Sequence, residues 1–125
     1  MTFGFANPFR SAQPVVRRLP VDQAIQMAKT GDITVLDVRD QKEIARTGKA
    51  SGALHIPLFL LKQKADPRHP EFHPDLKTDK PVAIYCATGA RSEMARRVMA
   101  GLGFDEVYNI GGLTHWQSAG GSCEA

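Results

Sequence analysis

From Val21 onward, Ala24, Ile25 and Ala28 fall at the i, i+3, i+4, i+7 spacing of a helix with one buried stripe, opened at Pro20 and closed at Gly31. The next run, Ile33 to Val38 (ITVLDV), is β-branched and almost unbroken in its apolar character. Such a run predicts a strand covered on both faces, as in a parallel sheet. Leu54 to Ile56, Val82 to Tyr85 and Val107 to Ile110 read the same way, and Val15 to Leu19 reads as a short edge strand. Helical segments are expected between them at 40–46, at 58–64 and at 91–102, the last with Ala95, Val98, Met99 and Leu102 as its apolar stripe. Strands alternating with helices require βαβ crossovers, so the chain is expected to be an α/β protein with a mostly parallel sheet between helical layers.

The organisation is simple. Residues 1–14 carry isolated Phe among Gly, Asn, Ser and Pro with no period and read as a loosely held tail; 15–120 form one domain; 121–125 read as a C-terminal tail. The stretch 65–81, with Pro67, Pro70, Pro74 and Pro81, is a surface excursion, because the strands on either side of it need each other. A chain of 125 residues is one domain by length, able to bury roughly two-thirds of its unfolded surface without staples.

Charge and cysteine usage narrow the partners. Sixteen basic and thirteen acidic residues leave a net charge of +3, but the cations are scattered and aromatic residues make up only 7% of the chain, which speaks against a nucleic-acid face. A small anion is the easier partner. No apolar run approaches the ~20 residues of a membrane span, and a secretory leader is not expected. Arg10, Arg17 and Arg18 faintly suggest a transit peptide, but Pro8, Pro14 and Pro20 interrupt the helix it would need. Two cysteines, Cys86 and Cys123, are too few for a disulfide scaffold and point to a reducing compartment, taken as the cytoplasm.

In open parallel sheets, ligands gather beyond the carboxyl ends of strands, where loops enter helix N-termini. The strand ending at Tyr85 delivers Cys86 to such a point. The following residues, Ala87, Thr88, Gly89, Ala90, Arg91 and Ser92, are mostly small, so successive backbone N–H groups can turn inward as an anion-binding nest at the positive end of a helix. A cysteine on the rim of that nest ionises below the ordinary thiol value of about 8.5. Taken alone, Cys86 equally fits a buried strand-end residue packing as a small hydrophobe.

The string CATGARS, Cys86 to Ser92, resembles the active-site loop of the rhodanese (sulfurtransferase) family, a C-x-x-G-x-R-S loop that opens a helix. Three further segments resemble the same family in order and spacing: LDVRDQKE from Leu36 to Glu43, GKASGALHIP from Gly48 to Pro57, and YNIGGLTHW from Tyr108 to Trp116. The resemblance runs from about Val15 to Gly120. It implies a rhodanese-like fold with a central five-stranded, mostly parallel sheet and helices on both faces. It also implies transfer of a sulfane sulfur through a persulfide on Cys86, with Ala87, Thr88, Gly89, Ala90, Arg91 and Ser92 holding the persulfide and an anionic, thiosulfate-like donor. The acceptor would be a thiol or a protein. No metal or organic cofactor is implied. Asp37 and Arg39 match the family's D-V-R and are expected first as structural partners. Lys49 stands where the family commonly has His, and Ala87 where many active members carry Arg, so Lys49 is a candidate for restoring positive potential at the site.

Two rivals remain: a phosphatase or arsenate reductase of the same fold, and a non-catalytic rhodanese-like binding module. Phosphatases that use this chemistry carry a Cys-x5-Arg loop, whereas here only Ala87, Thr88, Gly89 and Ala90 separate Cys86 from Arg91. The shorter ring suits a sulfane atom and crowds a phosphoryl group, and no acid lies inside it to protonate a leaving alcohol. His69 and His73 have a helical metal-ligand spacing, but Pro70 and Pro74 oppose that helix. His55 and His115 are expected as packing or surface residues, and Trp116 as the anchor of the final turn. Cys123, beyond Gly120 and Gly121, is a candidate for resolving the Cys86 persulfide into an internal disulfide.

Overall fold

A computed structural model describes residues 18–125 of the protein. The tail expected at 1–14 and most of the strand expected at 15–19 lie outside these residues, and Arg18 and Leu19 have no regular structure. In chain order the elements are α1 (Val21–Lys29), β1 (Thr34–Asp37), α2 (Gln41–Thr47), β2 (Lys49–Ala50) and β3 (Leu54–His55). A 3₁₀ turn (Leu58–Leu60) then leads into α3 (Leu61–Lys64). They are followed by β4 (Val82–Cys86), α4 (Ala90–Gly101), β5 (Val107–Gly112), α5 (Leu113–Ser118) and β6 (Cys123–Glu124).

The central sheet runs β3-β1-β4-β5 with every neighbour parallel. It has four strands among the described residues rather than the five expected. β2 and β6 instead make a separate antiparallel pair, Lys49 with Glu124 and Ala50 with Cys123. The stretch expected as a C-terminal tail is therefore docked on the domain in part.

Period-two alternation sorts the central strands onto two apolar clusters. Val35, Ala83, Tyr85, Tyr108 and Ile110 face one side with Ile25 of α1 and Trp116 of α5. Leu36, Val38, Ile84 and Cys86 face the other with Ala95 and Met99 of α4, joined by Leu61, Leu76 and Phe104. Both β1 and β4 are buried at every position, as their unbroken apolar runs predict. The proline-rich excursion returns to the core through Leu76, which is 3% exposed. Its histidines build turns there: the Nδ1 atoms of His69 and His73 accept the backbone N–H of Glu71 and Asp75.

The candidate active site

Cys86 is the last residue of β4 and has no exposed surface. Its pairing partner in β5 is Gly112, reached through a register irregularity between Ile84 and Cys86. Gly112 is needed at that point, because a Cβ would overlap the Ala87 carbonyl oxygen. On the other flank Gly89 takes φ +105° and caps α4 in the left-handed region, which other residues adopt only with strain. The two glycines let the loop curl tightly over the sulfur.

The curl brings the Gly89 N–H to 2.9 Å from Cys86 Sγ and the Ser92 hydroxyl to 3.4 Å. Burial by itself pushes the Cys86 thiol up. Hydrogen bonds from the Ser92 side chain and from the backbone N–H groups of Ser92, Gly89 and Thr88 outweigh it, and the net displacement is downward. A buried anion therefore has its partners already in place at the start of a twelve-residue helix, whose first-turn amides have no acceptors within the helix.

Asn109 of β5 braces this arrangement, a role its place in the sequence did not announce. Its Oδ1 accepts the Ser92 hydroxyl at 2.7 Å and the Gly111 N–H at 2.9 Å, and its Nδ2 donates to the Gly89 carbonyl at 2.9 Å. These contacts fix the orientation of the amide. The single Ser92 proton thus has three claimants: Asn109, the cysteine sulfur and, at 3.4 Å, the Gly111 carbonyl.

Arg91 leaves the loop for a bidentate pair with Glu43, Nη1 to Oε1 at 2.6 Å and Nη2 to Oε2 at 2.9 Å. The guanidinium is the main reason the Glu43 carboxyl lies as low as about 2. Glu43 also accepts the Asp40 N–H, while Asp40 accepts the Glu43 N–H in return, a reciprocal cap on α2. The loop is in this way clamped to the helix that follows β1.

Asp37 and Arg39 are 0% and 2% exposed and form a knot behind the site. Arg39 Nε bonds both Asp37 oxygens at 3.1 Å, and its remaining nitrogens reach Asp37, the Thr47 hydroxyl and the Gly48 carbonyl. The guanidinium lies 5.7 Å from the centre of the Tyr85 ring. Burial, followed by a hydrogen bond to Asp37, raises the Tyr85 phenol, whose oxygen accepts the Ala50 N–H at 2.8 Å. Lys49 bonds the Ala53 carbonyl at 2.8 Å and Glu124 at 2.7 Å, so its charge is spent on the β2–β6 pair. His55 Nε2 lies 2.7 Å from the Arg39 carbonyl, and the Gly112 N–H donates to His115 Nδ1. Among the described residues no group of three His, Cys, Asp or Glu is placed to hold a metal. No helix there is long and apolar enough to cross a membrane.

Comparison with known proteins gives a family for the fold. The family model described as "Rhodanese-like domain" matches residues 20–119. A Bacillus subtilis protein, itself uncharacterised, is 36% identical over 83 residues, 66% of this chain and 59% of that one. The thiosulfate sulfurtransferase GlpE of Coxiella burnetii is 32% identical over 97 residues, 77% of this chain and 82% of that one. Among solved structures, a Rhodopseudomonas palustris protein of unknown function, described as a possible tyrosine phosphatase, superposes with a TM-score of 0.77 at 32% identity. The superposition covers 99% of this chain and 96% of that one.

Proposed function

The protein belongs to the rhodanese-like domain family, and on that footing we propose that it is a sulfurtransferase that carries a sulfane sulfur on Cys86. The observation that carries the proposal is the sulfur of a strand-end cysteine lying 2.9 Å from the Gly89 N–H, with burial outweighed by hydrogen bonds that favour its anion. The name of the Coxiella burnetii relative supports thiosulfate as donor.

In the first half-reaction the Cys86 thiolate attacks the outer sulfur of thiosulfate. The S–S bond of the donor breaks, its electron pair leaves with sulfite, and the enzyme keeps a persulfide anion. The amides of Ala87 to Ser92 then face the terminal sulfur and supply fixed dipoles where the negative charge sits. In the second half-reaction an acceptor thiolate, or cyanide in a test tube, attacks the terminal sulfur and returns the electron pair of the broken bond to Cys86. Each half releases an anion, so no separate general base is required. A reducing compartment such as the cytoplasm keeps Cys86 available as a free thiol.

The name given to the Rhodopseudomonas palustris protein favours a second reading, phosphate-ester hydrolysis. Two features weigh against it. The ring between Cys86 and Arg91 holds four residues, and Arg91 is bound to Glu43 instead of closing over the loop. Thiosulfate-dependent formation of thiocyanate from cyanide tests the proposal against hydrolysis of an aryl phosphate. The expected result is sulfur transfer, lost in Cys86→Ser, with negligible hydrolysis. Efficient hydrolysis without sulfur transfer would overturn the proposal.

A further inference from the structure

Among the described residues the large apolar side chains left exposed are Phe59, at 79%, and Met94, at 58%. They come from different elements, the 3₁₀ turn and the second turn of α4, yet border one groove of about 640 Å³ floored by Val38 and Leu61. Its polar rim includes Lys62 and Arg91. A concave, mainly apolar surface of this size with a few polar groups has the form of a small-molecule site, and contiguous exposed apolar surface rimmed by polar residues marks a place of interaction.

The groove touches the catalytic loop at one residue. Arg91 forms part of its wall and belongs to the loop that starts at Cys86. The amide cup over the sulfur is small and polar, suited to a sulfur atom and a compact anion. A two-substrate transfer needs a second surface near that cup, and this groove meets the loop at Arg91. The charge at its rim is uneven. Asp40 is committed to the cap of α2 and Arg91 to Glu43, whereas the exposed Lys62 has no hydrogen-bond or ion-pair partner among the described residues.

Resting on the sulfurtransferase reading, we propose that this groove binds the sulfur acceptor, a small thiol with an extended apolar body and a carboxylate that reaches Lys62. The acceptor thiolate attacks the terminal sulfur of the Cys86 persulfide, and the S–S bond breaks with its electron pair returning to Cys86 Sγ. The acceptor leaves as a persulfide anion, and no further oxidant or reductant enters.

The test uses protein first treated with thiosulfate, then discharged with ω-mercaptoalkanoates of increasing chain length. The expected kcat/KM rises about fourfold per added methylene until the groove is filled, as burial of apolar surface requires. The matching mercaptoalkanols give the same slope at several-fold lower rates, and Lys62→Ala removes that difference. In a Phe59→Ser, Met94→Ser double variant the chain-length slope flattens. A flat response in the wild type, or an undiminished slope in the double variant, overturns the inference and leaves a protein thiol as the acceptor. Calorimetry with decanoate, which has no sulfur, separates the two claims. If Cys86 never takes up sulfur, the sulfurtransferase reading fails, and the groove stands only if decanoate binds the wild type and binds the double variant at least several-fold more weakly.

Discussion

At the scale of single residues, the chemistry turns on how one proton is shared. The Ser92 hydroxyl lies 2.7 Å from Asn109 Oδ1 and 3.4 Å from Cys86 Sγ. While the cysteine is a thiol the hydroxyl is free to serve Asn109; once the thiolate forms, donation to sulfur competes with that bond. Ser92→Ala removes the donor to the anion and should raise the pH midpoint of Cys86 alkylation by about one unit, the worth of one hydrogen bond to a charged group. An unchanged midpoint would show that the backbone N–H groups suffice. The place of Cys86 at a strand end was legible in the sequence because a strand run stops there and a glycine-containing loop opens a helix. Asn109 was not legible. Its partners are fixed by the β4–β5 register, which brings together residues from separate segments, and no local pattern marks it.

At the scale of elements, the loop is held in place by a neighbour, α2. The Glu43 carboxyl is depressed from 4.5 to about 2, chiefly by its hydrogen bonds to Arg91. A group with a folded-state value below its unfolded value stabilises the native state fully above the unfolded value and loses that contribution as pH falls through the folded one. The relevant window therefore runs from about pH 4.5 down to about pH 2. Arg91 is partly exposed, so solvent screening reduces the effect to about 1 kcal/mol. Glu43→Gln should lower stability at neutral pH by that amount and flatten acid unfolding within the window, as read by denaturant titration at several pH values; an identical pH profile would contradict the pairing. The helix itself was expected at 40–46, but its reciprocal cap and the partner of Glu43 on α4 were not. The same limit applies to β2 and β6. Strands of two residues carry no periodicity, and their pairing rests on remote contacts such as Lys49 with Glu124 and the Trp116 indole N–H with the Ser122 carbonyl.

At the scale of the molecule, the parallel sheet separates the two cysteines. Cys86 packs with α4 on one face, while Cys123 packs against the cluster on the other and pairs with Ala50. The relay expected from a mobile C-terminus would require β6 to peel away and cross the domain. Cys123→Ser should leave the decay of the Cys86 persulfide unchanged in a single-turnover assay; a clearly slower decay would restore the relay. The parallel α/β plan itself was legible because fully buried strands read as unbroken apolar runs. The missing part of the expectation was the fifth strand, since the segment read as an edge strand at 15–19 lies mainly outside the described residues. The central claim, that Cys86 carries sulfur, is tested most directly by mass spectrometry after thiosulfate treatment, with sulfite measured in the same sample. The account predicts one added sulfur atom, confined to the peptide containing Cys86, with an equal amount of sulfite released. An unmodified Cys86 under those conditions, or sulfur on Cys123 alone, would contradict it.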